Sequence, residues 1–431
     1  MIYSSVIRHF CLIFPLLGLL ITIPAHGETL YQAWETALAE NHSIKAAQET
    51  VAAAEEQLKA AKAIGYPGLS FKSGYTARDN EPQLMATMGP TTMELPVENQ
   101  YNLACQVTAS IPLYTSGRIT NGIEASRAML KASEADKASV LLNLKMEVAE
   151  AYVSILRAMH GLEVAKTHVT SLEAHERDVL TLYTQGIVAR SDQLAAQVSL
   201  ANARQQMIQT QNYLDLAQAS FNRLLQRPLD KKTKLEELTL ENMNEALPLL
   251  IEKALGQRSE LKALRKKIQA LRNQATGARA EDMPQIALTG GYGYQENDYL
   301  VEEGQWSVTL GLQWNLFDGG VSSHKANAIS RQANALQQQY KDFSSMISLQ
   351  TRQAWLDTRE TQKRIQVTDR AVSLAEENLK VSRNRYSSGL TTNTEVLSAE
   401  ALRIMSQYNH ANARYDSLIA ILRLKHAIGE L

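Results

Sequence analysis

Cysteine is almost missing: the 431 residues contain two, Cys11 and Cys105. Cys11 lies in an N-terminal apolar stretch, so a processed chain keeps Cys105 alone and no disulfide can staple it. Aromatic residues make up 6%, with six Phe, which excludes a large aromatic-rich core. No excess of either charge exists, with 44 Lys+Arg against 45 Asp+Glu, and this argues against a basic nucleic-acid binder. Beyond the N-terminus no apolar run reaches the roughly 18–20 residues of a spanning helix, so any re-entry into a membrane must be made by strands. Proline is absent between Pro112 and Pro228 and again after Pro284, which leaves room for very long helices. There is no Walker lysine motif, no His-Glu-x-x-His and no nucleophile elbow, so the chain is read as a non-enzyme with no cofactor and no metal, unable to power transport itself. What is present is alanine and glutamine, 54 and 31 residues, within a chain that is 45% hydrophobic and 21% charged. That composition excludes wholesale disorder and suits long, thinly packed helices.

The first 27 residues have the form of an export signal. Arg8 and His9 precede the apolar run Leu12 to Ile23, interrupted by Pro15 and followed by Ala25-His26-Gly27. Cleavage is expected before Glu28, which is not a cysteine and so offers no lipid attachment. The rest is duplicated. Pro67 and Pro284 are 217 apart, as are Ile44 and Leu261. Leu113 and Leu316, Gly117 and Gly320, Tyr183 and Tyr386, Gly186 and Gly389, and Leu194 and Leu397 are all 203 apart. The first repeat, 28–245, is expected to run helix, strands at 67–78 and 101–114, long helix 117–182, returning helix 191–226 and linker. The second, 246–431, is expected to run helix, strands at 284–295 and 305–317, long helix 320–385 and returning helix 394–428. The drop in offset places a longer outer loop, 79–98, in the first copy. The fold class is therefore mainly α with membrane β, the long helices implying rods rather than a compact domain.

The strands carry the sharpest chemistry. Tyr101, Leu103, Cys105, Val107, Ala109, Ile111 and Leu113 share one face, and Asn102, Gln106, Thr108 and Ser110 lie on the other. Trp306, Val308, Leu310, Leu312, Trp314 and Leu316 alternate with Ser307, Thr309, Gln313 and Asn315. Strand length and aromatic ends fit outer-membrane lipid on one face and water on the other. Four strands cannot close a barrel, so copies must share one, and the small polar inner faces favour three copies with a wet lumen.

Each long helix ends in a turn, Tyr183-Thr184-Gln185-Gly186 and Tyr386-Ser387-Ser388-Gly389, with Ser191 and Thr394 expected to cap the returning helices. A carboxylate stands six residues after each glycine, Asp192 and Glu395. In a trimer these supply six carboxylates at one end of a tube, a cation-favouring aperture; equally, each can be an acid that complements its own helix dipole. His160, His168 and His175 are spaced too widely on one helix to chelate an ion and are read as a solvated face. The outer loops 79–98 and 296–304 contain eight acids and no Lys or Arg, which predicts an acidic mouth. Residues 227–249 read as a solvated belt.

With these marks in place the chain resembles the outer-membrane efflux proteins of the TolC type. The joints Pro112-Leu113-Tyr114-Thr115-Ser116-Gly117 and Trp314-Asn315-Leu316-Phe317-Asp318-Gly319-Gly320, the duplication and the two Tyr-x-x-Gly turns carry the likeness. The resemblance implies a homotrimer with a twelve-strand barrel in the outer membrane and a helical tunnel in the periplasm. It implies that the turns, with Tyr183, Gly186, Arg190, Tyr386 and Gly389, form a tip that meets a periplasmic membrane-fusion adaptor served by an inner-membrane pump of the RND, ABC or MFS type. It places Asp192 and Glu395 at the periplasmic aperture, while a second acid of the family pattern falls on Ser398 here. The function expected is a passive duct of a tripartite efflux or type I secretion system. The alternative is a periplasmic adaptor or a structural coiled-coil scaffold of an export complex.

Overall fold

The computed structural model describes residues 27–241, 243 and 245–431. The export signal expected over 1–27 lies, apart from Gly27, outside the described residues. The elements run α1 (Leu30–Glu40), α2 (His42–Ala63), β1 (Gly68–Ala77), β2 (Gln83–Met88), β3 (Thr91–Pro96), β4 (Tyr101–Tyr114), α3 (Arg118–Thr184), α4 (Arg190–Leu224), α5 (Leu247–Gln257), α6 (Ser259–Arg279), β5 (Gln285–Gln295), β6 (Gly304–Gln313), α7 (Val321–Ser387) and α8 (Asn393–Ile428). α3 and α7 each have 67 residues, about 100 Å at 1.5 Å per residue. The proline-free stretches become these rods because nothing in them interrupts the backbone ladder.

The longer helices lie side by side, with α1 packed on α3 and α5 on α7 and α8. Near the strands α2, α3, α6 and α7 lie side by side; at the far end α3 and α7 are flanked by α4 and α8. The largest apolar cluster sits where α1 covers α3, around Tyr152, Phe221, Leu144, Val148 and Ile155. Tyr152 meets Phe221 edge-on at 6.1 Å, and burying each ring contributes roughly 1.5–3 kcal/mol. The single Tyr152 hydroxyl proton is shared between the carbonyls of Glu236, at 2.6 Å, and Glu28, at 2.8 Å. Arg227 grips the Glu28 carboxylate through both guanidinium nitrogens at 2.7 and 2.8 Å. The segment expected as a solvated belt is thus tied down, with Leu235, Leu238 and Leu240 packed on this cluster.

The strands form an antiparallel sheet in the order β1-β4-β5-β6, so β1 and β6 are its open edges. β4 bridges the two repeats by pairing with β1 and with β5. Two details differ from the sequence reading. The outer loop 79–98 contains a hairpin, β2 with β3, because Gly89 in the left-handed region lets the chain reverse tightly and the flanking residues pair from Met88–Thr91 to Gln83–Pro96. β6 stops at Gln313 rather than 317, for an edge strand loses its ladder where its single partner ends.

Candidate functional site

Cross-strand register sorts the sheet into two chemical faces. Phe71, Val107, Tyr292 and Trp306 stand in one row, Leu69, Ala109, Gly290 and Val308 in the next, and Ile111, Leu288 and Leu310 beyond. The opposite face carries Ser70, Thr108, Gly291 and Ser307, then Lys72, Gln106, Gly293 and Gln305. Lys72 is the one charged residue within these four strands. Among the described residues no helix covers the apolar face: Phe71 is 67% exposed and Trp306 78%. A large apolar face and two unpaired strand edges demand another apolar medium and further strands.

At the other end of the rods the two hairpins turn alike. Gly186 (φ 74°) and Gly389 (φ 70°) take the left-handed conformation. The N–H of Ile187 closes on the Leu182 carbonyl and that of Leu390 on the Arg385 carbonyl, which satisfies the last helical carbonyls. The expected caps are corrected. Thr392, not Thr394, caps α8 by accepting the Glu395 N–H, and Ala189 precedes α4 with no side-chain cap. Three residues after each glycine already reverse the chain, so Ser191 and Thr394 fall inside their helices.

Asp192 and Glu395 both stand in the first turn of their helices, where a carboxylate complements the dipole. Glu395 also pairs with Arg385 at 3.4 Å and accepts from the Thr391 hydroxyl. The hairpins are joined beside them: Asn393 Nδ2 donates to the Asp192 carbonyl at 3.0 Å, and its Oδ1 lies 2.7 Å from His175 Nε2. With Asn393 committed as donor to Asp192, its oxygen must accept, so His175 donates through Nε2. Burial, together with Arg383 nearby, pushes His175 below its ordinary pKa. Tyr386 packs against His175 at 5.7 Å between ring centres, and burial and the Asp192 charge push its phenol up.

Two turns away lies a second polar cluster, seven residues along both α3 and α8. Glu400 is 2% exposed and takes His168 Nδ1 at 3.1 Å, Arg383 at 3.3 Å and Arg403. Burial acts to raise its pKa, but His168, Arg403 and Arg383 prevail and hold it at about 2. The histidine stripe is therefore not a solvated face. α3 runs inside a layer, and the flank bearing His168 and His175 meets α8. Of the expected tip residues, Gly186, Arg190 and Gly389 are exposed and Tyr183 half-buried. Tyr386 is buried with Val179, Ala196, Leu379, Val396 and Ala399, so it holds the hairpins together rather than offering a surface. Asn393, Glu400, Arg383 and Arg403 escaped the sequence reading. The visible signal was a charged pair, Glu400 and Arg403, one turn apart among the apolar positions of α8.

The acidic loops 79–98 and 296–304 are more structured than composition suggested. Glu98 accepts from Arg78 at 3.0 Å and from Asn102 at 2.8 Å, while Glu296 takes the Leu103 N–H at 3.2 Å.

The sheet, apolar on one face and polar on the other, leads directly into rods of about 100 Å. Comparison with known proteins gives the family: the profile of the outer membrane efflux protein family matches residues 33–226 and 250–430, and the chain belongs to that family. It is similar to the outer membrane protein TolC of Vibrio cholerae serotype O1, 24% identical over 327 residues, 72% of this chain and 73% of that one. It is also similar to the proteases secretion protein PrtF of Dickeya chrysanthemi, 23% identical over 433 residues, 94% of this chain and 89% of that one. The crystal structure of the outer membrane protein VceC from Vibrio cholerae superimposes with a TM-score of 0.79 at 20% identity, covering 93% of this chain and 96% of that one. The chain is an outer-membrane channel protein of the efflux and secretion class, not an enzyme.

Proposed function

We propose that three copies form a twelve-strand barrel continued by a helical tunnel through the periplasm, and that this is the passive duct of a tripartite efflux or type I secretion system. The observation that carries the proposal is the sheet: apolar on one face, polar on the other and open at both edges, it leads directly into rods of about 100 Å. The paired hairpins are the periplasmic tip. Ile187 and Leu390, 62% and 69% exposed beside Gly186 and Gly389, offer matched apolar knobs for a membrane-fusion adaptor, itself driven by an inner-membrane pump. Asp192 and Glu395 line the aperture, and opening is a movement of the two hairpins against each other. A periplasmic adaptor or a coiled-coil scaffold has no use for a lipid-facing sheet.

The test is single-channel recording on planar bilayers with Asp192→Ala combined with Glu395→Ala. Loss of both acids is expected to raise open probability or lower cation preference severalfold. Currents matching the unmodified protein in both respects would remove these residues from the gate.

A further inference from the structure

Several exposed bases on the helices are neutralised where they stand. Lys59 pairs with Glu56, Arg127 with Glu124, Arg204 with Glu173 and Arg423 with Glu150. One face of α6 departs from that pattern. Lys262, Arg265, Lys266, Arg272 and Arg279 form no salt bridge among the described residues, and all but the half-buried Lys266 are exposed. The one acid of α6, Glu260, is taken by Arg258 at 2.8 Å. The opposite wall is α7, which has no acid between Val321 and Tyr340.

The bases meet neutral groups instead. The Arg265 guanidinium lies 5.9 Å from the centre of the Tyr340 ring. Arg272 donates to Gln337 Oε1 at 3.5 Å, Arg279 to Asn327 Oδ1 at 3.2 Å and Lys266 to Gln269 Oε1 at 3.1 Å. These contacts fix the side chains and leave their charge uncompensated. Two hollows of about 530 and 280 Å³ open here between α6 and α7; they share Arg272, and no acid lines either. Arg265, Arg272 and Arg279 are seven residues apart, so they stand about 10.5 Å from one another, and the row from Lys262 to Arg279 is about 26 Å long.

That length selects the ligand. Charges so far apart cannot converge on one small ion, because charge-assisted hydrogen bonds act only at contact distance. Lipid headgroups reach only the near end. Arg279 closes α6 just before β5, and a headgroup layer of about 5–8 Å covers less than one repeat of the row. An extended polyanion running beside the rod meets every base. We propose that this groove docks the peptidoglycan of the periplasm through the carboxylates that its peptide stems carry along the strand. The groove also lies on the side that a tunnel turns outward. α6 meets α3 along Gly277 and the buried Ala263 and Ala270, and it meets α7 along Ile268 and Ala275. At about 100° per residue, Leu264 and Leu271 fall on the shorter arc between these contacts and the bases on the longer one. In a closed ring of helices the longer arc faces out. The sidedness rests on the tunnel proposed above; the charge of the groove does not.

The experiment is sedimentation of the full-length protein, in detergent, with purified peptidoglycan sacculi. At roughly 0.05 M salt the protein is expected to pellet, and at roughly 0.5 M, where the screening length is much shorter, to stay in solution. Arg265→Gln with Arg272→Gln and Arg279→Gln should cut pelleting at least tenfold. Arg265→Lys with Arg272→Lys and Arg279→Lys keeps the charge and should pellet like the unmodified protein. Lys59→Gln with Arg127→Gln and Arg423→Gln removes as much charge elsewhere and should stay within twofold. Sacculi with amidated carboxylates should capture nothing. An unmodified protein that stays in solution at low salt, equal losses in the two Gln triples, or capture by amidated sacculi would each overturn the proposal. Release from sacculi by micelles containing phosphatidylglycerol, but not by micelles containing phosphatidylethanolamine, would assign the groove to anionic headgroups and overturn it too. Native mass is measured on the same samples: an unmodified protein that runs as a monomer refutes the tunnel, whereas an intact oligomer that ignores sacculi refutes only the docking.

Discussion

Replacing Glu400 by Gln should loosen the tip of the helical layer without touching its apolar packing. The carboxylate is buried and serves His168, Arg383 and Arg403. Its pKa falls to about 2 from 4.5, and at 1.36 kcal/mol per unit the charged state is favoured in the fold by about 3 kcal/mol. The sign follows from a depressed acid: the contribution is complete above pH 4.5, the unfolded value, and disappears as pH falls through the folded value near 2. At neutral pH the amide removes it entirely and leaves Arg403, itself buried, without its counter-charge. Amide hydrogen exchange of the detergent-solubilised protein reads this locally. Protection of α8 around Glu400 and of α3 around His168 should fall about a hundredfold, at roughly 1.4 kcal/mol per tenfold. Glu150→Gln is the control. It breaks an exposed pair with Arg423, worth at most about 1 kcal/mol. Protection within threefold of the unmodified protein in Glu400→Gln would refute the claim that this cluster holds α8 against α3 and α7.

Two further outcomes are expected. Lys72 supplies the one charge on the polar face of the strands, so Lys72→Glu should shift reversal potentials in a salt gradient toward cation preference; an unchanged potential would mean that this face does not line the conducting path. Gly186→Ala and Gly389→Ala force a Cβ into left-handed backbone, at a cost of roughly 1–2 kcal/mol each; thermal melts should fall for both, while Gly256→Ala, a helical glycine with open space around it, should hold or raise the midpoint.

Much of this architecture was legible because its signals are periodic or absolute. Proline spacing marked α3 and α7 to within a few residues, since a helix that long tolerates no break. Alternation in 101–113 and 306–312 marked two faces that the register reproduces. The hairpin β2–β3 was missed because its residues alternate weakly around Gly89 and the acids nearby suggested a loop. The polar seams were missed for a different reason. A histidine every seven or eight residues on one helix looks the same whether it faces water or a neighbour, and only the layer order, α8 against α3, decides. Spacing singled out Asp192 and Glu395 as candidates, but the link between the hairpins runs through Asn393, which no motif flagged.

The two ends of the helical layer are held by different chemistry, and this bears on where the proposed duct can open. Near the strands the buried contact between helices is made by Ala125, Ala132, Ala263, Ala270 and Gly277, a close backbone approach, with polar pairs such as Lys267–Asp136 and Arg279–Asn327 only at its exposed margin. Sliding such a seam forfeits dispersion contacts at once and gains no hydration in return. Near the hairpins the joints are Asn393 with His175 and Asp192, and Glu400 with His168, Arg383 and Arg403. The neutral Asn393 bonds are worth little net when water can replace them, whereas the charged Glu400 cluster holds the closed joint by about 3 kcal/mol, a cost that opening has to meet and that hydration of the parted charges only partly offsets. Under the proposed function, a rigid small-residue collar fixes the barrel end, and the polar joints let the tip part while the rods stay whole.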